Sequence, residues 1–265
     1  MAPFWRIPAL FTANYLSVLR FIAIAPMVLT AVCLAGDPAN TVPTDSAPSL
    51  SSYKAIYRSE IRGMVVDIHR QLERLQDGQY QLESKAEKLV YGYSETSRFS
   101  TVDSQLLPNA YHYRGTGFNR REIRIDFNRA EGVATSLYKD KHYSLPLADT
   151  TQDKLSWQES IRLQLLANTR PDSKQLAKLE LLDGRRQKNY SIEFLGHEQI
   201  QTPLGNFRAL HMVRKGIKQG SDLDFWLAED WQYLLLKARQ NDKKEGVVTV
   251  ELIAATLNQT TVSGD

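Results

Sequence analysis

Apolar and polar residues alternate along much of the chain after residue 52, which is the period of a half-buried β-strand. Residues 190–194 read Tyr-Ser-Ile-Glu-Phe, and residues 208–213 form a second strand-like run. Between them, Thr-Pro-Leu-Gly-Asn-Phe at 202–207 has the composition of a tight turn. Successive side chains of a strand point to opposite faces, so two such runs joined by a turn predict a pair of antiparallel strands.

The same pattern predicts a series of further strands. Asp77-Gly78 and Asp183-Gly184 predict turns between strands, because both residue types tolerate positive φ. Leu107-Pro108 predicts the end of a strand. We expect roughly a dozen strands in all, and besides the two above they cover residues 53–61, 64–75, 80–88, 95–102, 111–114, 122–127, 133–138, 142–145, 178–182, 223–227, 234–239 and 247–257.

One segment has the period of a helix instead. Trp157, Ile161 and Leu165 recur at spacing four, and Ser156 followed by Glu159 has the spacing of a capping box. Parallel βαβ units need a helix between strands, and this is the one convincing helix in the sequence. We therefore expect a mainly β fold: a single antiparallel, strongly curved sheet, either a barrel or a half-barrel, with one amphipathic helix covering it.

The first 36 residues differ in composition from the rest, since they contain Arg6 and Arg20 and no Lys, Asp or Glu. Residues 21–35 form an apolar run directly after Arg20. This length is typical of a secretory signal, whereas a membrane-spanning helix needs about 20 apolar residues. The sequence therefore predicts export to the periplasm, with two alternatives open: an inner-membrane anchor through residues 21–35, or a lipid anchor at Cys33.

These observations give a domain plan. We expect a signal peptide over residues 1–35, a linker rich in Pro, Ser and Thr over 36–52, a β-barrel-like domain over 53–257 and a disordered tail over 258–265. Cleavage after residue 35 would remove the only cysteine, which excludes disulfides, thiolate metal sites and a cysteine nucleophile from the mature protein.

Charge and motifs argue against several activities. Removing the leader leaves 31 basic against 30 acidic residues, so no large basic face is implied and nucleic acid is not an expected partner. The histidines are at least 14 residues apart, and no phosphate-binding loop, calcium loop or Gly-x-Ser-x-Gly elbow occurs. Asp222 and Asp224 have the strand spacing of a glycosidase pair, but such pairs are common on solvated faces. We expect no catalytic residue, metal or cofactor.

Several segments occur in an order that resembles the exported bacterial family catalogued as domain of unknown function 3108. The resemblance covers about residues 50–257, and it implies an envelope-located, β-barrel-like domain with no catalytic residues to carry over. More distantly, the fold is similar to half-barrels with a covering helix that carry lipids or lipoproteins across the periplasm. The segments are the leader, the early aromatic strand, Leu107-Pro108 before Tyr111, the helix at 153–166, Asp183-Gly184-Arg185-Arg186 with Tyr190, residues 202–207 and Phe225-Trp226-Leu227-Ala228.

The leading hypothesis is a non-catalytic periplasmic protein whose barrel cavity binds an apolar ligand, such as a lipid or an acyl chain. The expected ligand-binding residues are Trp157, Ile161, Phe225 and Trp226, acting as cavity wall and lid. Aromatic side chains dominate ordinary cores as well, and Trp226 shares its strand face with the two aspartates rather than with Phe225. Two alternatives stay open: an assembly factor that binds other envelope proteins, and a hydrolase of envelope glycan or lipid. Membrane contact is expected only through the leader.

Overall fold

The computed structural model describes most of the chain after the leader. The predicted signal peptide, Cys33 and most of the predicted linker lie outside the described residues. These are residues 48–61, 64–88, 91–117, 120–167, 175–216, 221–242 and 246–265.

The first half of the described chain is a meander in which each strand pairs antiparallel with the next. The side chains of these strands alternate between buried and exposed. In the sixth strand Ile123, Ile125 and Phe127 face inward and the residues between them face solvent, as predicted. The strands are β1 (Tyr53–Ile61), β2 (Met64–Arg74), β3 (Tyr80–Lys88), β4 (Tyr91–Val102), β5 (Gln105–Gly117), β6 (Arg121–Asn128), β7 (Val133–Tyr138) and β8 (Lys141–Pro146).

The second half contains one α-helix and the remaining strands. Strands β10 to β15 form another antiparallel meander, and β15 pairs with β1 to join the halves into one sheet. The elements are β9 (Thr151–Gln152), α1 (Ser156–Leu166), β10 (Gln175–Leu182), β11 (Gln187–Thr202), β12 (Gly205–Arg214), β13 (Leu223–Ala228), a 3₁₀ turn (Glu229–Trp231), β14 (Leu234–Asp242), β15 (Gly246–Leu257) and β16 (Thr260–Thr261).

The sheet is strongly curled. Strands β8 and β9 stand at its two ends, yet only residues 147–150 connect them along the chain. Such a connection reaches at most about 18 Å, whereas fifteen strands laid flat would span roughly 65–70 Å. The two edges must therefore approach each other, and the Arg185 guanidinium lies 5.6 Å from the Tyr138 ring across this seam. Within the described residues β8 and β9 do not pair, so the sheet is curled but open.

The prediction of a purely antiparallel sheet is wrong at one edge, because β9 pairs parallel with β10. The cause is the single helix, which lies between these two strands in the chain and makes the crossover that a parallel pair requires. The strand count, sixteen within the described chain, also exceeds the predicted dozen. The two-residue strands β9 and β16 are too short to show an alternating pattern.

The predicted role of α1 as a cover also needs correction, because eight of its eleven residues are buried. Leu163 belongs to the larger core cluster, whereas Trp157, Ile161 and Leu165 belong to a second cluster against strands β10 to β13. The polar residues Glu159 and Arg162 are buried as well, at 1% and 2% exposure. The helix therefore lies inside the curl of the sheet.

The predicted capping box does not form. Asp153 Oδ1 instead accepts hydrogen bonds from the backbone N–H groups of Leu155 and Ser156, both at 2.8 Å. The Ser156 hydroxyl donates to Gln152, and Glu159 points away to other partners. Asp153 thus satisfies the free N–H groups that open a helix, from a position three residues before Ser156.

Two further predictions differ from the structure. Pro108 does not end a strand, since β5 runs through it at a register shift opposite Arg98 and Phe99, where a bulge tolerates a missing N–H. The tail over 258–265 is not disordered: β16 pairs with β15, Val262 is buried, and Asp265 exchanges backbone hydrogen bonds with Asn206. These backbone pairs hold a segment whose side chains are mostly polar.

Candidate functional site

Three of the four predicted ligand-binding residues lie together. Trp157 and Ile161 of α1 pack against Phe225 of β13 in the second core cluster, and the Trp157 and Phe225 rings meet edge to face with centroids 5.6 Å apart. All three side chains are almost fully buried. The structure thus brings residues 157, 161 and 225 together as packed core.

The space beside this trio is small. A cavity of about 20 Å³ adjoins Trp157 and Phe225 and is also lined by Tyr53, Arg70 and Arg162. That volume holds about one water molecule, whereas pockets for small organic ligands measure about 300–1,000 Å³. An acyl chain has no room there unless the interior opens, so a ligand-binding role for these residues stays a prediction.

Trp226 lies on the other face of β13. Its ring stacks on His211 with centroids 4.4 Å apart, and its Nε1–H donates to Glu198 at 2.8 Å. His211 also bridges Glu198 and Asp224, with nitrogen-to-oxygen distances of 2.6 and 3.0 Å. Arg239 lies 5.6 Å from the Trp226 ring centroid. Trp226 is thus 5% exposed, contacts this polar cluster and belongs to the larger core cluster, whereas Phe225 belongs to the second cluster.

The carboxylates of Asp222 and Asp224, which have the spacing of a glycosidase pair, each contact positively charged side chains. Asp222 accepts hydrogen bonds from Lys215 Nζ at 3.1 Å and from the backbone N–H of Gly216 at 2.8 Å. Asp224 pairs with His211 and with Arg239, whose Nη2 lies 3.7 Å away. Each carboxylate is therefore a member of an ion-pair network, which accounts for its charge without a catalytic role.

A buried ionic cluster lies between α1 and the first two strands. Glu159 accepts hydrogen bonds from the Tyr53 hydroxyl at 2.8 Å and from Arg162 at 2.5 Å, and Arg70 Nη2 lies 3.9 Å from it. Burial raises the pKa of Tyr53 well above its ordinary value, so the phenol keeps the proton it donates. Arg70 also bonds to Gln158, which ties β2 to the helix. We call Glu159, Arg70, Arg162 and Tyr53 the interior ion cluster.

Lys154 is a buried charge next to the helix start. It is 3% exposed, and burial lowers the pKa of its ammonium from 10.5 to about 8, partly offset by the negative charges of Asp183 and Glu95. Burial also raises the pKa of the neighbouring Asp153 carboxyl. Burial thus disfavours the charged form of both side chains.

The lowered pKa of Lys154 predicts a pH-dependent stability. Between about pH 8 and pH 9.5, below the pH at which tyrosines ionise in the unfolded chain, the unfolded lysine still holds its proton and the folded lysine has released it, so the contribution of Lys154 to the free energy of unfolding should rise with pH. Urea unfolding at several pH values should show a smaller rise for Lys154→Met than for the natural protein. The exposed Lys139→Met variant serves as the control and should follow the natural protein; equal slopes for all three would contradict the prediction.

An open groove of about 530 Å³ lies on the outer face of the sheet, across β15, β1, β2 and β3. The strand registers define two rows of outward side chains. In one row Ala254 stands opposite Ile56, and His69 opposite Lys85; Ile56 and His69 are also partners. In the second row Thr256, Lys54, Gln71 and Glu83 follow in the same strand order. Leu204, Thr261 and Val262 form a wall at the end of the groove.

The sequence reasoning did not identify this groove. Its residues come from both ends of the chain, and Ile56 meets Ala254 only because β1 pairs with β15. The alternation in each strand does predict which side chains face outward. Nothing in the sequence predicted that β1 and β15 are neighbours, so the grouping could not be found.

No metal or membrane-spanning site emerges from the described residues. In that part of the chain, no group of three or more His, Cys, Asp or Glu side chains is arranged to hold a metal ion. The described chain also contains no helix that is both long and apolar enough to cross a membrane. His112 and His197 pair with Glu122 and Glu229, respectively.

Comparison with known proteins gives a family and a fold. Residues 53–253 match the model of the family described as protein of unknown function (DUF3108). No curated protein matches the chain. Among solved structures, a β-barrel-like protein of the domain of unknown function DUF1849 from Brucella abortus is similar, with a TM-score of 0.54, 11% identity and coverage of 80% of this chain and 99% of that chain.

Two other solved structures are more distant. The Pseudomonas aeruginosa MucA/MucB complex gives a TM-score of 0.36 at 10% identity, covering 82% of this chain and 55% of that chain. A lipoprotein from Parabacteroides distasonis gives a TM-score of 0.25 at 11% identity, covering 81% of this chain and 96% of that chain. Neither carries an argument about this chain, and the DUF1849 protein supports the fold alone.

Proposed function

The chain belongs to the family of unknown function DUF3108, and from this premise we propose that it is a non-catalytic protein of the bacterial envelope that binds an apolar or amphiphilic chain molecule, such as a lipid or an acyl chain. The binding site is the outer groove rather than the interior of the curled sheet. Membership fixes no activity, so the proposal rests on the residues and spaces of this chain.

The volume of the groove carries the proposal. At about 530 Å³ it falls within the range of ligand pockets, whereas the interior cavity holds about 20 Å³. Ile56 and Ala254 supply an apolar floor, and Leu204 and Val262 supply an apolar wall at one end. A ligand with a hydrocarbon part would remove Ile56, Ala254 and Leu204, which are part-exposed, from water, whereas Val262 is already buried.

Two observations support the envelope location and the lack of catalysis. The apolar run at residues 21–35, directly after Arg20, has the length and the positive flank of the apolar region of an export signal. The carboxylates Asp222 and Asp224 are each held by cations. A carboxylate held in this way is neither the activated nucleophile nor the free base that hydrolysis requires.

Extraction of the purified mature protein tests the proposal. Organic solvent should release a lipid or fatty acid that mass spectrometry identifies, and its removal should lower the melting temperature because the bound ligand stabilises the folded state. A protein that releases nothing, and whose melting temperature does not respond to added fatty acids, would overturn it.

Substitutions in the apolar floor of the groove should weaken binding. Ala254→Trp places a large ring over Ile56, and Ile56→Asp puts a charge in the apolar floor; each should weaken fatty-acid binding tenfold or more, about 1.4 kcal/mol. Thr135→Trp adds the same ring to the exposed face of β7, away from the groove, and should bind like the natural protein. Isothermal titration checks all three. Unchanged affinity in both groove variants would place the ligand elsewhere.

A second candidate, an assembly factor that binds other envelope proteins, is favoured by the sheet edge. Within the described residues β8 has a partner strand on one side only, β7. An exposed edge can pair with a strand of another protein, but Lys141 and Pro146 at the ends of β8 are the residues that block such pairing. Pull-down from an envelope extract that recovers a stoichiometric protein, with no lipid released on extraction, would favour this candidate.

A further inference from the structure

We infer that the ligand of the outer groove is a single-chain amphiphile with a negatively charged head, bound across the strands with its head over β2 and β3. This inference rests on the proposed function, because it assigns the chemistry of the same groove.

The strand registers give the groove two chemically different ends. Ala254 and Ile56 stand side by side on β15 and β1, and His69 and Lys85 continue the same row on β2 and β3. Neighbouring strands lie about 4.8 Å apart, so the row spans roughly 14 Å from its apolar to its basic end. A molecule lying along this row meets hydrocarbon at one end and cations at the other.

At the basic end of the groove, the positive charges of the lysines are not paired with acidic side chains of the described residues. His69 and Lys85 are direct cross-strand partners, with Cβ atoms about 5 Å apart, so the imidazole stands beside the ammonium and offers it no counter-charge. Lys54 stands diagonally from His69, since its partner Gln71 lies two residues further along β2. In the described part of the chain neither lysine has an ion-pair partner, although ion pairs are found elsewhere on the same face.

Glu83 is the one acidic side chain in the lining of the groove, and it accepts a hydrogen bond from Gln81 at 2.7 Å. Two lysines against one glutamate leave the groove positive, since Arg70, which also adjoins it, is paired with Glu159. A carboxylate or a phosphate at the head of the ligand would accept charge-assisted hydrogen bonds from the lysines, which act as compact point charges. A head with a positive charge would be repelled.

The apolar end determines where the tail lies. Leu204 and Val262 close the groove beyond Ala254, and Val262 is buried because the C-terminal segment folds back onto β15. The tail of the ligand therefore runs over Ile56 and Ala254 toward this wall. Only a ligand with an apolar tail uses both ends of the row, which distinguishes it from a free inorganic anion.

Titration with three probes of equal alkyl length tests the assignment: laurate, lauryl phosphate and laurylamine, each below its micelle concentration. Laurate and lauryl phosphate should bind at least tenfold more tightly than laurylamine, and added salt should weaken the two anions. A double variant, Lys54→Gln with Lys85→Gln, should bring the three affinities together. The matched variant Lys139→Gln with Lys141→Gln, in the β7–β8 hairpin, should leave them as they are. All substituted lysines are exposed, and melting temperatures confirm folding.

The outcomes separate the two proposals. Equal binding of laurate and laurylamine would overturn the anionic head and leave the apolar-ligand function standing. Failure of all three probes would overturn both. A preference for the phosphate over the carboxylate, or the reverse, supports the assignment and identifies the head as phospholipid-like or fatty-acid-like. Binding of inorganic phosphate as tightly as lauryl phosphate would overturn the assignment of the tail.

Discussion

Replacement of Glu159 by alanine is expected to lower the free energy of unfolding by about 3–5 kcal/mol, because it leaves two buried guanidinium groups without their shared counter-charge. The side chains of Arg70 and Arg162 are 7% and 3% exposed, so bulk water reaches neither guanidinium group in the folded protein. Urea unfolding followed by circular dichroism measures the change. An effect below about 1 kcal/mol, the size typical of surface pairs, would show that the cluster is solvated.

Two controls separate charge from packing. Tyr53→Phe removes the hydrogen bond to Glu159 and keeps the ring, so it should lower stability by about 1 kcal/mol. Arg58→Ala breaks the exposed pair with Asp67, whose atoms are also 2.8 Å apart, and should change stability by about 0–1 kcal/mol. The buried contact of Glu159 with Tyr53 and the exposed contact of Arg58 with Asp67 have the same length, but their loss is expected to change stability by different amounts.

A third variant tests whether the penalty comes from unpaired charge. Replacing Arg70 and Arg162 by Met together with Glu159→Leu removes all three charges at once, and we expect it to recover most of the loss caused by Glu159→Ala. Hydrophobic residues of similar volume often replace a buried ion group without loss of stability. If the triple variant is as unstable as the single one, the hydrogen bonds to Gln158 and the backbone, rather than the charges, hold the helix in place.

The alternation of apolar and polar residues predicted most of the sheet. In a strand that is buried on one face, apolar side chains must recur at every second position. This is why β1 and β3 have the predicted bounds and why Ile123, Ile125 and Phe127 face inward. The pattern says nothing about Thr151–Gln152, whose two residues cannot show a period. The parallel pair that they form depends on where the helix returns the chain, which is a property of the tertiary fold.

The interior was harder to predict for a different reason. Ser156 and Glu159 have the spacing of a capping box, and nothing local distinguishes that use of Glu159 from an ion pair with Arg70, which lies 89 positions earlier in the chain. Trp157 and Phe225 read equally well as a cavity wall or as packed core. The structure places them in a packed cluster because α1 fills the curl of the sheet that would otherwise be empty.

Replacement of Phe225 by alanine is expected to lower the free energy of unfolding by about 3–5 kcal/mol and to leave binding in the outer groove unchanged. The ring is 3% exposed and packs against Trp157, so its removal would enlarge the small cavity that already adjoins it. Phe225→Leu keeps most of the volume and should cost less than about 1.5 kcal/mol, so it provides a folded variant if the alanine protein is too unstable to purify.

The two readouts of this variant distinguish the two places where a ligand could bind. If the ligand lies in the outer groove, laurate should bind the natural protein and Phe225→Leu with the same affinity. Phe225→Ala has an enlarged interior cavity, which should bind a small apolar probe such as benzene, and this binding would raise the melting temperature of the variant. If the ligand lies inside, against Trp157, Ile161 and Phe225, a change at residue 225 must alter the laurate affinity, whereas Ile56→Asp on the outer face must not. The opposite responses of positions 225 and 56 therefore decide the question, because the two side chains lie on opposite faces of the same curled sheet.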